Sequence, residues 1–514
     1  MTDPEQSLET QDVRWVRFAP DNADRSKALD ILPAIYGDDS ACLHYTTPPL
    51  WAPSEILRND LIFHSTGEVE RHWADRTYIA LGDGPGNLSC QGFIHARSEA
   101  MLGELAPRHH DDEEGHPVPP LIEAYLACPP SIRPHAGMGH VIEDDLTSYL
   151  FGDPYAVNIR VTPYCQPHAI FSGYCAQAAV HMCLVMCSKR WGGAALGTFD
   201  IHRLANAGAG DFRLRSFRVR GLSTFQIGSV FSSPWARLDG IVMIRRMATG
   251  YVGRPLRPSD PPLYSPGAVS AELFGLVDSE CPLVIAVDYN MWVLAARGQA
   301  PKGESGAKHG IVLVGYRLEK SGCVNLILHD SASRPYVTAQ LDAVLDAAEG
   351  YDDEVHPDHT RSIQCVAAVP KDVSLAPIGA GAIASEFLGG SRSNRYFESL
   401  RYKLTPLPLL GAELAQLMGG AAKNITSAAR EIELALRDDG VSYLWRVTRV
   451  SRSPRKGVST VFVDAAARSD DYGRLVRLRP IPLAPCHMVL VNPDRGIKML
   501  VPDDKGDDNW LIDR

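Results

Sequence analysis

Hydrophobic and polar positions change their spacing several times along the chain, and each change marks an element. From Cys175 onward, Ala176, Ala179, Val180, Cys183, Leu184 and Cys187 recur at the spacing of one helix face. This predicts a helix running to about Lys189 or Arg190, with Gly192 and Gly193 to stop it. Elsewhere the apolar runs are continuous and β-branched: PLVIAVD (282–288), Ile311–Val314 within HGIVLVGY, Val324–Leu328 and Ile363–Val369. Such runs predict buried strands, and the polar turn Glu319–Gly322 makes the second and third of them an antiparallel hairpin. Ser223 caps a short helix after Gly221, while Phe212–Arg220 alternates apolar and basic residues like a half-exposed strand.

The two flanks have weaker patterns. Before residue 153, Val13–Phe18, Thr77–Leu81 and Leu88–Ile94 read as short strands, the last two joined by a Gly-Asp-Gly-Pro-Gly turn (82–86). After the Gly/Ala-rich stretch Gly379–Gly390, read as a linker, comes an amphipathic helix at Ala421–Arg437. Strands follow at Tyr443–Val450, Ser459–Val463, Leu475–Leu478, Met488–Val491 and Lys498–Val501. The expected class is α+β and multidomain: a mixed α/β region at 1–152, a central domain at 153–375 and an α+β region at 376–514.

Composition narrows the class. A hydrophobic fraction of 45% and a charged fraction of 22% are those of a globular protein, and 514 residues exceed one ordinary core. The formal net charge of −10 argues against bulk binding to nucleic acid or membrane. No apolar run approaches the roughly 18 residues of a spanning helix, and the polar start is unlike a signal peptide, so the expected compartment is the cytoplasm. Eleven cysteines with no CxxC pair suggest neither a disulfide framework nor a structural zinc site. Cys183 and Cys187 read as small buried apolar residues, and the acidic, His-rich 107–120 segment as a solvated loop. Arg446, Arg449, Arg452, Arg455 and Lys456 form a basic cluster, read as an exposed β-turn face.

One set of residues carries chemistry. Cys175 falls in the first turn of its helix, where unpaired N–H groups and the positive dipole end favour a thiolate. His309 opens one strand of the hairpin and Asp330 closes the other, which places imidazole and carboxylate at the same end. Asp330 can then accept the Nδ1–H of His309 and leave the other ring nitrogen for the thiol.

The segments GYCAQAAVHM, PLVIAVD, HGIVLVGY and VNLILHDSASRPY together resemble the papain-like cysteine peptidases, most closely the branch of the bacteriocin-leader (double-glycine) peptidases. The resemblance covers about residues 163–340. It implies a Cys175-bearing helix packed on an antiparallel sheet that bears His309 and Asp330, and a thioester mechanism needing no metal or organic cofactor. It also implies a peptide or protein substrate, with cleavage after small residues such as Gly. This chain has Ala176 where the family has Gly after the Cys, and Ser331 where it often has Pro after the Asp. The family's oxyanion-hole Gln lies six positions before the Cys, which here is Ala169; Gln166 is the nearest candidate, and Gln177 lies on the helix itself. The same triad supports transglutamination or glutamine deamidation, and a non-catalytic scaffold is the alternative from another class. The flanking regions read as partner- or substrate-recruiting modules, and the Gly/Lys-rich stretch Ala295–Lys308 as a lid over the site.

Overall fold

A computed structural model describes residues 16–17, 35, 42–46, 75–81, 89–96, 121–149, 156–166, 175–206, 221–247, 263–298, 308–349, 361–385, 387–388, 397–418, 425–450, 459–466, 487–492 and 496–500. The fold is α+β, with helices and three largely antiparallel sheets. The first sheet is built from β1 (Val16–Arg17), β2 (Cys42–Thr46), β3 (Asp75–Leu81), β4 (Ser89–Ala96) and β5 (Leu121–Leu126). After β6 (Gly139–Val141), which pairs elsewhere, β7 (Asp144–Tyr149) and β8 (Ala156–Cys165) complete it in the order β1-β2-β3-β4-β5-β8-β7. Strands on both sides of residue 152 therefore share one sheet.

Three helices follow: α1 (Cys175–Trp191), α2 (Thr198–Asn206) and α3 (Thr224–Phe231). Helix α1 ends at Trp191, one residue past the expected end, with Lys189 and Arg190 in its last turn and Gly192 at φ 71° after it. Ser223 caps α3 in a reciprocal capping box with Gln226. The second sheet then collects β9 (Leu238–Met247), β10 (Leu263–Tyr264), β11 (Leu283–Asp288), β12 (Lys308–Leu318), β13 (Val324–His329), β14 (Val337–Gln340) and β15 (Arg361–Pro370). Its order is β10-β9-β15-β11-β12-β13-β14, with β6 added to β12, and all of its pairings are antiparallel except β10 with β9. Helices α4 (Pro266–Asp278), α5 (Tyr289–Arg297) and α6 (Leu341–Glu349) connect its strands. Every residue of β11 is buried, as its unbroken apolar run predicts.

The linker expected at Gly379–Gly390 is not one over its first residues: α7 (Pro377–Ala384) occupies them. Its small side chains allow close packing rather than mobility. Pro377 supplies a preset first turn, and Ile378, Ala380, Ile383 and Ala384 are buried. Helices α8 (Leu410–Leu417) and α9 (Ile425–Asp438) cover the third sheet, a meander of β16 (Leu400–Pro406), β17 (Tyr443–Arg449), β18 (Thr460–Asp464), β19 (Met488–Asn492) and β20 (Gly496–Leu500). The expected strand Leu475–Leu478 lies outside the described residues. Helix α9 buries Ile425, Ala429, Ile432 and Leu436, the helical repeat read from its sequence. One apolar cluster joins all three sheets, from Ile94 and Leu126 through Ile285, Ile311 and Val366 to Trp445 and Val463. The central sheet is thus held from both sides, and the residues it carries are placed by packing rather than by loops.

Candidate active site

Helix α1 begins at Cys175, so the thiol stands among the N–H groups of the first turn. Cys175 as a residue keeps partial exposure though its thiol is largely buried, whereas Cys183 and Cys187 further along α1 are fully buried, with thiols that burial pushes well up. Burial acts in the same direction on Cys175, but other effects outweigh it. The charge and hydrogen bond of His309 oppose it, the backbone N–H groups of Gly310 and Ala176 donate to the sulfur, and the net result is a lowered pKa. These contacts need a close approach of strand to helix. A Cβ on Gly310 would stand 3.3 Å from the Ala176 Cα, so a larger residue there would press on the start of the helix.

His309 and Asp330 meet through strand register. The pairing sets Val312 opposite His329, so Asp330 continues the ladder opposite Ile311, two residues from His309 and on the same face. Across that diagonal, His309 Nε2 lies 2.7 Å from Asp330 Oδ1, with both side chains buried. This corrects the expectation that Nδ1 faces the carboxylate. The far nitrogen spans the diagonal, and Nδ1, nearer the backbone, is left for a sulfur that sits beside the Gly310 N–H. Burial disfavours charge on His309, but Cys175 and Asp330 together outweigh it and hold the imidazolium well above the usual range. Asp330 is likewise buried, yet His309, Trp292 and the Ala332 N–H hold its carboxyl well below the usual range.

Strand β11 continues into α5, whose cap is Asp288 accepting from the Met291 N–H at 3.0 Å. Two residues of this helix, neither singled out by the sequence reading, complete the site. The indole Nε1–H of fully buried Trp292 donates to Asp330 Oδ2 at 2.9 Å. The ring of Tyr289 stands edge-on to His309, centroids 5.3 Å apart. The sequence signals the helix but not these roles: Asp288 is a capping residue at a strand end, and Trp is the fourth residue after it. Ser333 Oγ also donates to Oδ2 at 2.8 Å, and the Ala332 N–H to Oδ1 at 2.9 Å.

Gln166 sits behind the acid. Its side-chain nitrogen donates to the Ser333 carbonyl at 3.2 Å, and it hydrogen-bonds the Tyr164 side chain. The sequence offers it as an oxyanion donor; these contacts tie it to the Asp330 loop. Gln177 is fully buried and turned toward His202 of α2, 3.4 Å from its Nδ1. In the basic cluster, Arg446 pairs with Glu413 of α8 and Arg449 donates to the Leu388 carbonyl at 2.9 Å. Arg452, Arg455 and Lys456, the alternating strand 212–220, the His-rich 107–120 segment and residues 299–307 of the expected lid lie outside the described residues.

The arrangement offers a thiol whose ionisation is favoured, an imidazole ring that can exchange a proton at Nδ1, and a carboxylate that fixes the ring. No family model matches the chain, and no curated protein matches it in sequence. Among the described residues, no helix is long and apolar enough to cross a membrane, and no group of three or more His, Cys, Asp or Glu is placed to hold a metal ion.

Proposed function

We propose that this protein is a papain-like cysteine peptidase of the cytoplasm that cleaves a peptide or protein through Cys175, His309 and Asp330. The observation that carries the reading is the hydrogen-bonded line from the sulfur of Cys175 at a helix start, through His309, to Asp330, the last link 2.7 Å long. The Cys175 thiolate attacks the scissile carbonyl carbon, and the Cys175 backbone N–H, free of an intrahelical partner at the start of a helix, donates to the oxyanion. As the C–N bond breaks, His309 passes its Nδ1 proton to the departing amine. A water molecule, deprotonated by the same nitrogen, then attacks the thioester carbonyl and releases the carboxylic acid and the thiol. Through all of this Asp330 stays ionised and keeps the ring oriented.

The first and third sheets flank the central one and are the natural places for substrate or partner recruitment. The decisive experiment uses Cys175→Ala as an inactive trap. Proteins captured by this variant should be cleaved by the native protein at one class of site, with a mass gain of one water across the two fragments. Unchanged cleavage by Cys175→Ala would end the proposal. A one-dalton change or an amine adduct on a glutamine, in place of fragments, would assign the same triad to deamidation or transglutamination.

A further inference from the structure

The loop that carries the acid is fastened from a direction the triad chemistry does not require. Strand β8 belongs to the first sheet, where it pairs with β5 and β7, and its last residues run on to the back of the Asp330 loop. There the Pro163 carbonyl accepts from His329 Nδ1 at 3.2 Å, and the Tyr164 hydroxyl donates to the Asp330 carbonyl at 2.9 Å. Gln166 adds its bond to the Ser333 carbonyl, and Tyr336 at the far end of the loop donates to the Leu126 carbonyl of β5. The Tyr164 and Tyr336 rings meet His329 edge-on from two sides, and all three are buried. This same loop supplies Ser333 Oγ and the Ala332 N–H to the two carboxylate oxygens. The hold on the carboxylate and the hold of the first sheet therefore act on one short piece of backbone.

We propose that Tyr164 and Gln166 are positioning residues, through which the first sheet keeps the Asp330 loop in the form that presents its carboxylate to His309. The inference rests on the reading of Cys175, His309 and Asp330 as a working triad, and it makes the first sheet part of the catalytic apparatus. Disturbance of that sheet, by a partner or by truncation, is then felt at the sulfur as a weaker imidazolium partner.

Thiol chemistry tests this without a substrate. The rate of Cys175 alkylation by iodoacetamide is followed against pH by peptide mass spectrometry in the full chain. Of the titratable groups, His309 from β12 and Tyr164 from β8 face Asp330; His329 and Tyr336 lie beside its loop, Cys165 adjoins Tyr164, and Tyr289 of α5 faces His309. Burial pushes His329 down to about 3 and Tyr164 well above its usual range, so neither changes charge near neutrality. The neutral-range profile then follows Cys175 with His309.

Asp330→Asn sets the scale by moving the midpoint of the profile upward. Tyr164→Phe and Gln166→Met should each move it the same way and slow alkylation at pH 6 by about 2- to 10-fold, as loss of one ordinary hydrogen bond allows. The double variant should approach Asp330→Asn. A shift with Asp330→Asn but none with the others, even where their melting temperatures fall, would overturn the positioning role and leave the triad standing. No shift with Asp330→Asn itself would remove the triad, and this inference with it. Should Gln166→Met fail to fold, Tyr164→Phe, which deletes one oxygen atom, decides alone.

Discussion

Two clusters of buried charge share the second sheet, and they are finished differently. On β9, Arg245 forms a two-pronged pair with Glu272 of α4, Nε to Oε2 at 2.7 Å and Nη2 to Oε1 at 2.8 Å. The Ile378 N–H adds a bond to Glu272, and the Tyr264 ring lies 5.6 Å from the guanidinium. Burial works against the arginine charge, but Glu272 outweighs it, and the cluster closes on itself. The Asp330 carboxylate is as fully satisfied, by His309, Trp292, Ser333 and Ala332. There the line does not close: it passes through His309 to Cys175, a residue that keeps partial exposure although its thiol is largely buried. Both clusters meet the rule that a buried charge must be paired. Arg245 and Glu272 are buried whereas Cys175 keeps partial exposure, and on the proposed function that difference separates a brace from a reactive centre.

The sharpest way to break the comparison is to remove the Cys175 thiol. Cys175→Ala should lower peptide hydrolysis by roughly 10⁴- to 10⁶-fold, the scale of losing a nucleophile, with the circular-dichroism spectrum unchanged. Asp330→Asn comes next, with an expected loss of about 10²- to 10⁴-fold, because the ring loses both its fixed orientation and its compensating charge. The native pH profile gives the same result from another side. Cys175 is lowered from 9.0, so the thiolate is lost only as pH falls through that lowered value; His309 is raised from 6.5, so the imidazolium is lost only as pH rises through that raised value. Activity should therefore hold across a plateau between the two folded-state values, and Asp330→Asn should narrow it from both ends. A native profile with a single limb near pH 9 would mean that no ion pair forms.

Much of this centre was legible because its parts follow local rules. Cys175 could be placed at a helix start from apolar spacing, and His309 with Asp330 from two continuous runs and a polar turn. What stayed hidden depends on contacts between elements distant in sequence. The choice of Nε2 over Nδ1 follows from a diagonal offset between strands, which hydrophobic pattern alone does not give. The role of Trp292 has no local signal, since nothing nearby in sequence says that a carboxylate 38 positions later will need its N–H. The small residues of α7 suggested a linker because their burial is decided by the surfaces they meet. Arg245 and Glu272, 27 residues apart, were likewise invisible as a pair.

The closed cluster gives the converse test. Arg245→Met leaves the Glu272 carboxylate buried without its partner, and about 3–5 kcal/mol of stability should be lost in chemical denaturation. Cys175 alkylation at pH 6, measured well below the melting temperature, should stay at the native rate. A large change in that rate would mean that the two clusters act as one network, and the contrast between brace and reactive centre would fall.

The smallest effect probes where brace and chemistry overlap. Trp292 is fully buried, and its single polar contribution is one N–H to Asp330 Oδ2 at 2.9 Å. Phenylalanine keeps much of the ring's apolar volume but not this donor, and Ser333 Oγ still holds the same oxygen at 2.8 Å. A hydrogen bond to a charged group contributes about 1.5–3 kcal/mol, and the remaining donor takes up part of its work. Trp292→Phe should thus reduce kcat by about tenfold with KM unchanged, and raise the Cys175 alkylation midpoint by less than Asp330→Asn does. If the midpoint and kcat stay native while only the melting temperature falls, Trp292 belongs with Arg245 as packing. If both move, the indole is part of what keeps the carboxylate turned toward His309, and the reach of the reactive centre extends from the strands into α5.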